Sequence, residues 1–154
     1  MKEVTHALTL NGRVHGEVKD AVMSPREVIA QRLALLDGLV RYSLSLWRLP
    51  EGVRFDSVDL AAWPREYVQA AGSADGMTVE VRRREPSGWG QYVVGRAAHD
   101  NSGSPAEVVI PWNGHEARVS SSEVFSAAEA AEVFARYYET GEVQGTFYFR
   151  RLSL

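Results

Sequence analysis

"FSAAEAAEVFARYYETGE", residues Phe125–Glu142, is the most regular stretch of the chain and decides its fold class. Ser126, followed three residues later by Glu129, predicts a capping box at the start of a helix, and Gly141 predicts its end. When the residues are placed at the helical spacing of about 100° per residue, the apolar side chains fall on one face of the predicted helix. Its members are Ala127, Ala131, Phe134 and Tyr138, flanked by Ala130 and Tyr137. We therefore expect a helix whose alanine-rich half packs closely on a sheet.

The opposite face of this helix is polar and mostly acidic. It carries Glu129, Glu132, Arg136 and Glu139. Glu132 and Arg136 are four residues apart, a spacing that favours an ion pair along the helix. Two interpretations stay open for the acidic face: an ordinary solvated surface, or a docking surface for a partner.

Composition indicates one soluble globular domain over residues 1–154. The chain is 45% apolar and 24% charged, and it has no cysteine, which excludes disulfides and thiolate metal sites and favours a reducing cytoplasm. The opening "MKEVTHALTL" lacks the apolar core of a signal peptide, and we expect no membrane span. A net charge of −3 and a pI near 5.8 argue against a nucleic-acid partner.

The first part of the chain predicts a hairpin followed by a helix. Asn11-Gly12 suits a two-residue turn, which would place His6 opposite Glu17 and Leu8 opposite His15. Ser24 and Glu27 then predict a second capping box. We expect this helix to end near Gly38 and to carry one apolar stripe. The stripe comprises Val28, Ile29, Arg32, Leu35, Leu36 and Leu39.

Period-two alternation predicts further strands. We expect them at residues 40–49, 66–72, 77–85, 90–98 and 145–154, with a "PSGWG" turn at residues 86–90. Asn113-Gly114 predicts one more hairpin, with Trp112 opposite His115, Ile110 opposite Ala117 and Glu116 on the more polar face. The order of elements predicts an α+β fold: a mostly antiparallel sheet of about six to eight strands with two helices packed on one face.

Few residues suggest catalysis or metal binding. No H-E-x-x-H, G-x-S-x-G or phosphate-loop pattern is present, so we expect no enzyme activity, no cofactor and no metal. His6, His15 and Glu17 are a candidate metal set only if they converge on one face of the first hairpin. Otherwise they form an exposed polar face, the simpler interpretation. His99, in the polar loop at residues 99–105, is expected to be solvated.

"RRRE", at residues 82–85, is the only run of basic residues. It is either a charged strand edge that prevents aggregation or a nucleic-acid patch, and the acidic composition favours the first. Trp89 lies between two glycines in the adjoining predicted turn. It is either an exposed contact residue or folds back onto the sheet. Tryptophan and arginine are both enriched at binding hot spots.

The C-terminal part of the chain resembles a known family. "VVIPWNGHEARVSSSEVFSAAEAAEVFARYYETGEV", at residues 108–143, resembles the C-terminal region of the type-one immunity proteins of bacterial polymorphic toxin systems. The shared pattern is a strand hairpin, a lead-in of the S-S-E-V-F kind, and a helix that ends in an aromatic residue followed by x-T-G-x. The segment at residues 66–96 is similar in style to the meander of those proteins, whereas the first 60 residues match only in the order of elements.

This resemblance implies a cytoplasmic, non-catalytic protein that binds a cognate toxin domain and blocks its active site. Because many such toxins have basic clefts, acidic side chains are candidate contacts, together with tryptophans near turns. The candidate partner-binding residues are Trp89, Trp112, Glu116, Glu129, Glu132, Glu139 and Glu142. The matching motif residues are mainly structural, so the family transfers no functional position to this chain.

Two alternatives to toxin binding remain. The first is a small-molecule-binding or catalytic domain with a pocket under the curved sheet. Tyr42, Trp47, Tyr92 and Phe149 are its expected lining. The second is a homodimer that pairs through an exposed edge strand, so the chain is expected to be a monomer or a homodimer.

Overall fold

The computed structural model describes residues 3–97 and 107–153; His99 and its loop lie outside this part. The strands are β1 (His6–Leu10), β2 (Val14–Glu17), β3 (Ser43–Arg48), β4 (Tyr67–Ser73), β5 (Gly76–Glu85), β6 (Gly88–Arg96), β7 (Glu107–Trp112), β8 (His115–Ser120) and β9 (Phe147–Arg151). The helices are α1 (Pro25–Ala34) and α2 (Ala127–Thr140), with short 3-10 turns at Phe55–Ser57 and Ser121–Glu123. Within the described residues, no helix has the length and apolarity needed to cross a bilayer.

The α+β fold is confirmed. Seven strands form one sheet in the order β2-β1-β3-β4-β5-β6-β9, and β7 pairs with β8 in a separate two-stranded sheet. Each neighbouring pair is antiparallel. α1 and α2 pack against each other, and α2 contacts β3, β4 and β5. Side chains of both helices join the main apolar core with one face of the sheet.

Helix α2 has the predicted ends but a rotated apolar face. Ser126 and Glu129 form the capping box, and Gly141 closes the helix at a φ of 79°. The fully buried residues are Ala130, Val133, Phe134, Ala135 and Tyr137, whereas Ala127, Ala131 and Tyr138 are only partly buried. The predicted face was therefore wrong by part of a turn, because α2 is covered by α1 as well as by the sheet.

Helix α1 also has the predicted capping box, formed by Ser24 and Glu27. It ends at Ala34, earlier than expected, and Gly38 lies in the following loop with a φ of 78°. Leu33, outside the predicted stripe, is fully buried, whereas Leu35 and Leu39 are largely exposed. The stripe was wrong at its C-terminal end, because the chain leaves helical geometry before Leu39.

The first hairpin has a different register from the prediction. Its turn has an extra residue, Arg13, so that Leu10 pairs with Val14, Leu8 with Gly16 and Ala7 with Glu17. The predicted register was wrong, because Arg13 stands as an additional residue between the Asn11-Gly12 turn and the first strand pair, Leu10 with Val14. In contrast, the Asn113-Gly114 hairpin has the predicted pairing throughout β7 and β8.

Strand β3 is buried on both faces from Ser43 to Trp47, not on one face as the alternation suggested. Leu46 belongs to the main core, whereas Trp47 packs with Ala7 in a second cluster on the other face. The segment between β3 and β4 closes this cluster with Phe55, Val58 and Trp63. That segment therefore continues the sheet's apolar packing beyond the end of β3.

Candidate functional site

A cleft lies where β3 ends and β6 begins, beside the C-terminal end of α2. Its volume is about 350 Å³. We call it the arginine cleft. It is lined by Arg48, Arg65, Arg84, Trp63, Trp89, Glu51, Glu66, His6 and Tyr137, together with Leu49, Pro50 and Gly141. Sequence positions far apart meet here because the antiparallel order brings the ends of β1, β3, β5 and β6 together.

The position of Trp89 differs from the predicted turn. The β5–β6 turn contains only residues 86 and 87, because Glu85 pairs with Gly88. Trp89 is therefore a strand residue, partly buried and paired with Arg84, and it does not form the tip of a hairpin. The guanidinium carbon of Arg82 lies 5.0 Å from the Trp89 ring centroid. The indole folds back onto the sheet while still lining the cleft.

Arginines define the charge of this region. Arg65 lies over Trp63 at 5.4 Å, and its carbonyl accepts a hydrogen bond from Arg82 Nε at 3.0 Å. Among residues 3–97 and 107–153, none of Arg48, Arg65, Arg82 and Arg84 forms an ion pair with a carboxylate. Glu51 and Glu66 also line the cleft, so its three lining arginines, Arg48, Arg65 and Arg84, exceed its two carboxylates. An anionic group entering the cleft therefore meets guanidinium groups that form no ion pair with a carboxylate of the described residues.

Two buried titratable groups form the inner wall. Burial, and secondarily the charge of Arg48, lowers the pKa of His6 to about 4. Burial, and secondarily the charge of Glu66, raises the pKa of Tyr137 to about 12. Both side chains are therefore neutral at pH 7. General acid–base catalysis works best with a pKa near the working pH, so this pair is better suited to binding than to proton transfer.

The acidic face of α2 is largely paired with arginines. Arg26 of α1 binds Glu132 at 2.7 Å and Glu139 at 3.4 Å. Glu132 therefore bridges the helices, whereas the sequence predicted a pair with Arg136. Glu129 accepts from the Ser126 backbone N–H at 2.9 Å and lies 3.5 Å from Arg96. Three of the predicted contact residues thus have partners within the protein.

The remaining predicted residues are spread over the surface. Trp112 packs on Tyr42 at 6.0 Å and on His115 at 4.9 Å, at the end of β3 opposite the cleft. Glu116 is exposed on β8, and Glu142 is exposed directly after α2. The structure therefore separates Trp89 from Trp112, and the role of all seven residues in partner binding stays a prediction.

The predicted pocket under the sheet does not form. Trp47 is fully buried on one face of the sheet, where its Nε1 donates to Thr9 Oγ1 at 2.9 Å. Tyr92 and Phe149 pack edge-to-face at 6.2 Å and belong to the core on the other face. Tyr42 lies beside Trp112. Trp47 therefore lies on one face of the sheet and Tyr92 and Phe149 on the other, so these side chains do not line a common pocket.

The candidate metal set is also separated. The His6 ring packs on Tyr138 of α2 at 4.3 Å, on the helix-covered face. His15 bonds Thr9 Oγ1 at 2.8 Å on the opposite face, beside Trp47. The alternative that required convergence is wrong, since His6 and His15 point to different sides of the sheet.

Arg48, Arg65 and Trp63 are cleft residues that the sequence did not single out. Arg48 ends a strand, and Trp63 and Arg65 lie in the proline-punctuated segment between β3 and β4. The only local signal was an aromatic residue and an arginine flanking Pro64. Their convergence with Trp89 depends on the sheet order.

Comparisons of the chain with protein-family models, curated proteins and solved structures give no match. The resemblance to type-one immunity proteins therefore stays a prediction.

Proposed function

We propose that this protein is a cytoplasmic, non-catalytic immunity protein that binds a cognate toxin domain and covers its active site. The arginine cleft is the centre of the contact surface. One observation carries this proposal: three cleft arginines without ion-pair partners in the described residues line the same recess as the partly buried Trp63 and Trp89, and Arg82 stacks on Trp89. Tryptophan and arginine in a partly desolvated recess are the usual anchors of a protein interface.

The positive charge of the cleft indicates which charge the partner's contact surface carries. Unpaired guanidinium groups favour carboxylates, which they bind through two parallel hydrogen bonds. The toxin surface that enters the cleft is therefore acidic, whereas the basic partner expected from sequence would have contacted the acidic face of α2. On that face, Glu132 and Glu139 already form ion pairs with Arg26. Complementary charge increases the association rate and excludes unsuitable partners.

A rescue assay tests this function. Candidate toxin domains encoded beside this chain are expressed alone and together with it in a sensitive host. We expect one domain to stop growth alone and to be neutralised by the wild-type chain. Arg48→Glu and Arg84→Glu should each abolish rescue. Arg118→Glu is the matched control, since exposed Arg118 pairs with Glu107 on the separate small sheet.

Rescue that persists in both cleft variants would remove the cleft from the contact surface. Absence of any toxic and rescued domain would contradict the function itself. In that case calorimetry with a mononucleotide and with inorganic phosphate tests the small-molecule alternative, because the cleft volume of about 350 Å³ lies within the range of ligand pockets.

A further inference from the structure

Among residues 3–97 and 107–153, strand β2 has no neighbouring strand on its outer side in the main sheet. It is the last strand in the sheet order, and a Cβ added at Gly16 meets no atom within 4 Å. The Val18 N–H donates to the His6 carbonyl at 2.9 Å, which sets the alternation of hydrogen-bonded pairs along β1 and β2. The backbone N–H and C=O groups of His15 and Glu17 therefore point away from β1, toward the open edge.

This edge is complementary to itself. An antiparallel pairing of two copies that places His15 opposite the partner copy's His15 also places Arg13 opposite Glu17. The outward-facing groups of His15 then bond reciprocally, and the Glu17 N–H reaches the Arg13 carbonyl. Opposite charges directly across two strands stabilise the pair. In the same register Val14 faces Gly16, where the structure has open space.

An exposed apolar patch borders the same edge. Val14 is 63% exposed and Leu35 is 47% exposed, and both line a groove of about 150 Å³ between β2 and α1. Leu39 and Val40, each 72% exposed, follow α1, and the Val40 carbonyl accepts from the side chain of Asn11 in the β1–β2 turn. Contiguous exposed apolar surface in a soluble protein usually marks an interaction site.

The opposite edge of the sheet has no such complementarity. It is formed by β9, which carries Arg150 and Arg151 next to each other. Both side chains already pair within the chain, Arg150 with Glu123 at 2.8 Å and Arg151 with Glu85 at 3.2 Å, so they are not free to pair with a second copy. In the part of the chain that the structure describes, the β2 edge therefore combines opposite charges with adjoining apolar surface.

We propose that two copies of this chain associate through β2, in the register centred on His15, to form one continuous antiparallel sheet. The two-fold axis is perpendicular to the sheet, so both α1 helices lie on the same face. The dimer interface covers Val14, Leu35 and Val40 of each copy. Their burial adds apolar area to the short pairing of the two strands. The arginine cleft, at the distal end of β3, remains open, and this association does not depend on toxin binding.

Sedimentation equilibrium with charge-swapped variants tests the pairing. Wild type should have twice the chain mass of 17.1 kDa at micromolar concentration. Glu17→Arg and Arg13→Glu should each raise the dimer dissociation constant at least about tenfold, because two like-charge contacts form across the axis. The double variant should restore the wild-type value to within a few-fold.

Two further variants separate pairing from folding. His15→Pro removes an N–H that β1 does not use and should prevent dimerisation, whereas His15→Ala, which loses the same side-chain bond to Thr9 but keeps the N–H, should remain dimeric. Arg118→Glu is the control for a charge reversal elsewhere and should remain dimeric. A wild-type mass of 17.1 kDa at 100 μM, a figure on the order of ordinary interface affinities, overturns the proposal. A dimer that the Glu17 and Arg13 variants leave intact overturns it equally.

Discussion

Arg150 Nε donates to the Oε2 of Glu123 at 2.8 Å, and this contact joins the last strand to the turn that precedes α2. The Glu123 side chain is only 2% exposed, and its Oε1 also accepts from the Ser120 backbone N–H at 3.0 Å. The pair links segments that are 27 residues apart in sequence. It is therefore a tertiary constraint on where α2 begins.

Arg150→Ala should lower the free energy of unfolding by about 1–3 kcal/mol, since it leaves a buried carboxylate without its charged partner. Chemical denaturation measures this change. Glu107→Gln is the control, because the Glu107–Arg118 pair is exposed on both sides and should contribute less than about 1 kcal/mol. Equal effects of the two variants would contradict the assignment.

Glu123 also makes stability depend on pH. Burial opposes its ionisation, but the hydrogen bonds from Arg150 and the Ser120 N–H outweigh burial and lower the pKa below the ordinary 4.5. Its contribution is therefore fully present above pH 4.5 and is lost as pH falls through the lowered pKa. In acid denaturation, Glu123→Gln should lose this part of the pH dependence; an unchanged profile would exclude it.

His6 should destabilise the fold as the solution becomes acidic. Its pKa is about 4 in the folded protein and 6.5 ordinarily, so unfolding takes up a proton below pH 6.5. The free energy of unfolding should fall between pH 6.5 and pH 4 by up to about 3 kcal/mol from this group. Denaturation of His6→Gln across that range should show a shallower slope, and an identical slope would contradict the burial effect.

Gly72→Ala should be strongly destabilising. Gly72 has a φ of 129°, and an added Cβ would lie 2.6 Å from the Gly76 carbonyl oxygen and 2.8 Å from Ile110 Cγ2. Both backbone strain and overpacking against β7 follow, with an expected loss of more than about 2 kcal/mol. Within a single chain, a Cβ added at Gly16 meets no atom of the described residues within 4 Å, so Gly16→Ala should change the stability of the monomer by less than about 0.5 kcal/mol. Thermal unfolding at one protein concentration compares them.

Arg26→Ala tests whether the acidic face of α2 takes part in toxin binding. The pairs of Arg26 with Glu132 and Glu139 are exposed, so their loss should change the midpoint of thermal unfolding little. The substitution frees both carboxylates of α2. If the arginine cleft is the docking centre, toxin binding measured by calorimetry should change little. An increase in affinity would instead support the acidic face predicted from sequence.

Local signals correctly predicted the starts of both helices, the end of α2 and one hairpin. Ser24 with Glu27 and Ser126 with Glu129 act over three residues, and Gly141 takes the left-handed conformation that ends a helix. Asn113-Gly114 likewise determines the whole β7–β8 register. These features depend on backbone sterics and hydrogen bonds between near neighbours, so the chain specifies them without its tertiary context.

Only the tertiary structure decided which side chains share a surface. The extra turn residue Arg13 shifted the first hairpin, and with it the faces of His6 and His15. Glu132 forms its ion pair with Arg26, more than 100 residues away in sequence, and not with Arg136 on the same helix. The sheet order brought Arg48, Trp63 and Trp89 into one cleft. Such contacts depend on strand register and on packing between distant segments, which the amphipathic pattern of a single helix or strand does not encode.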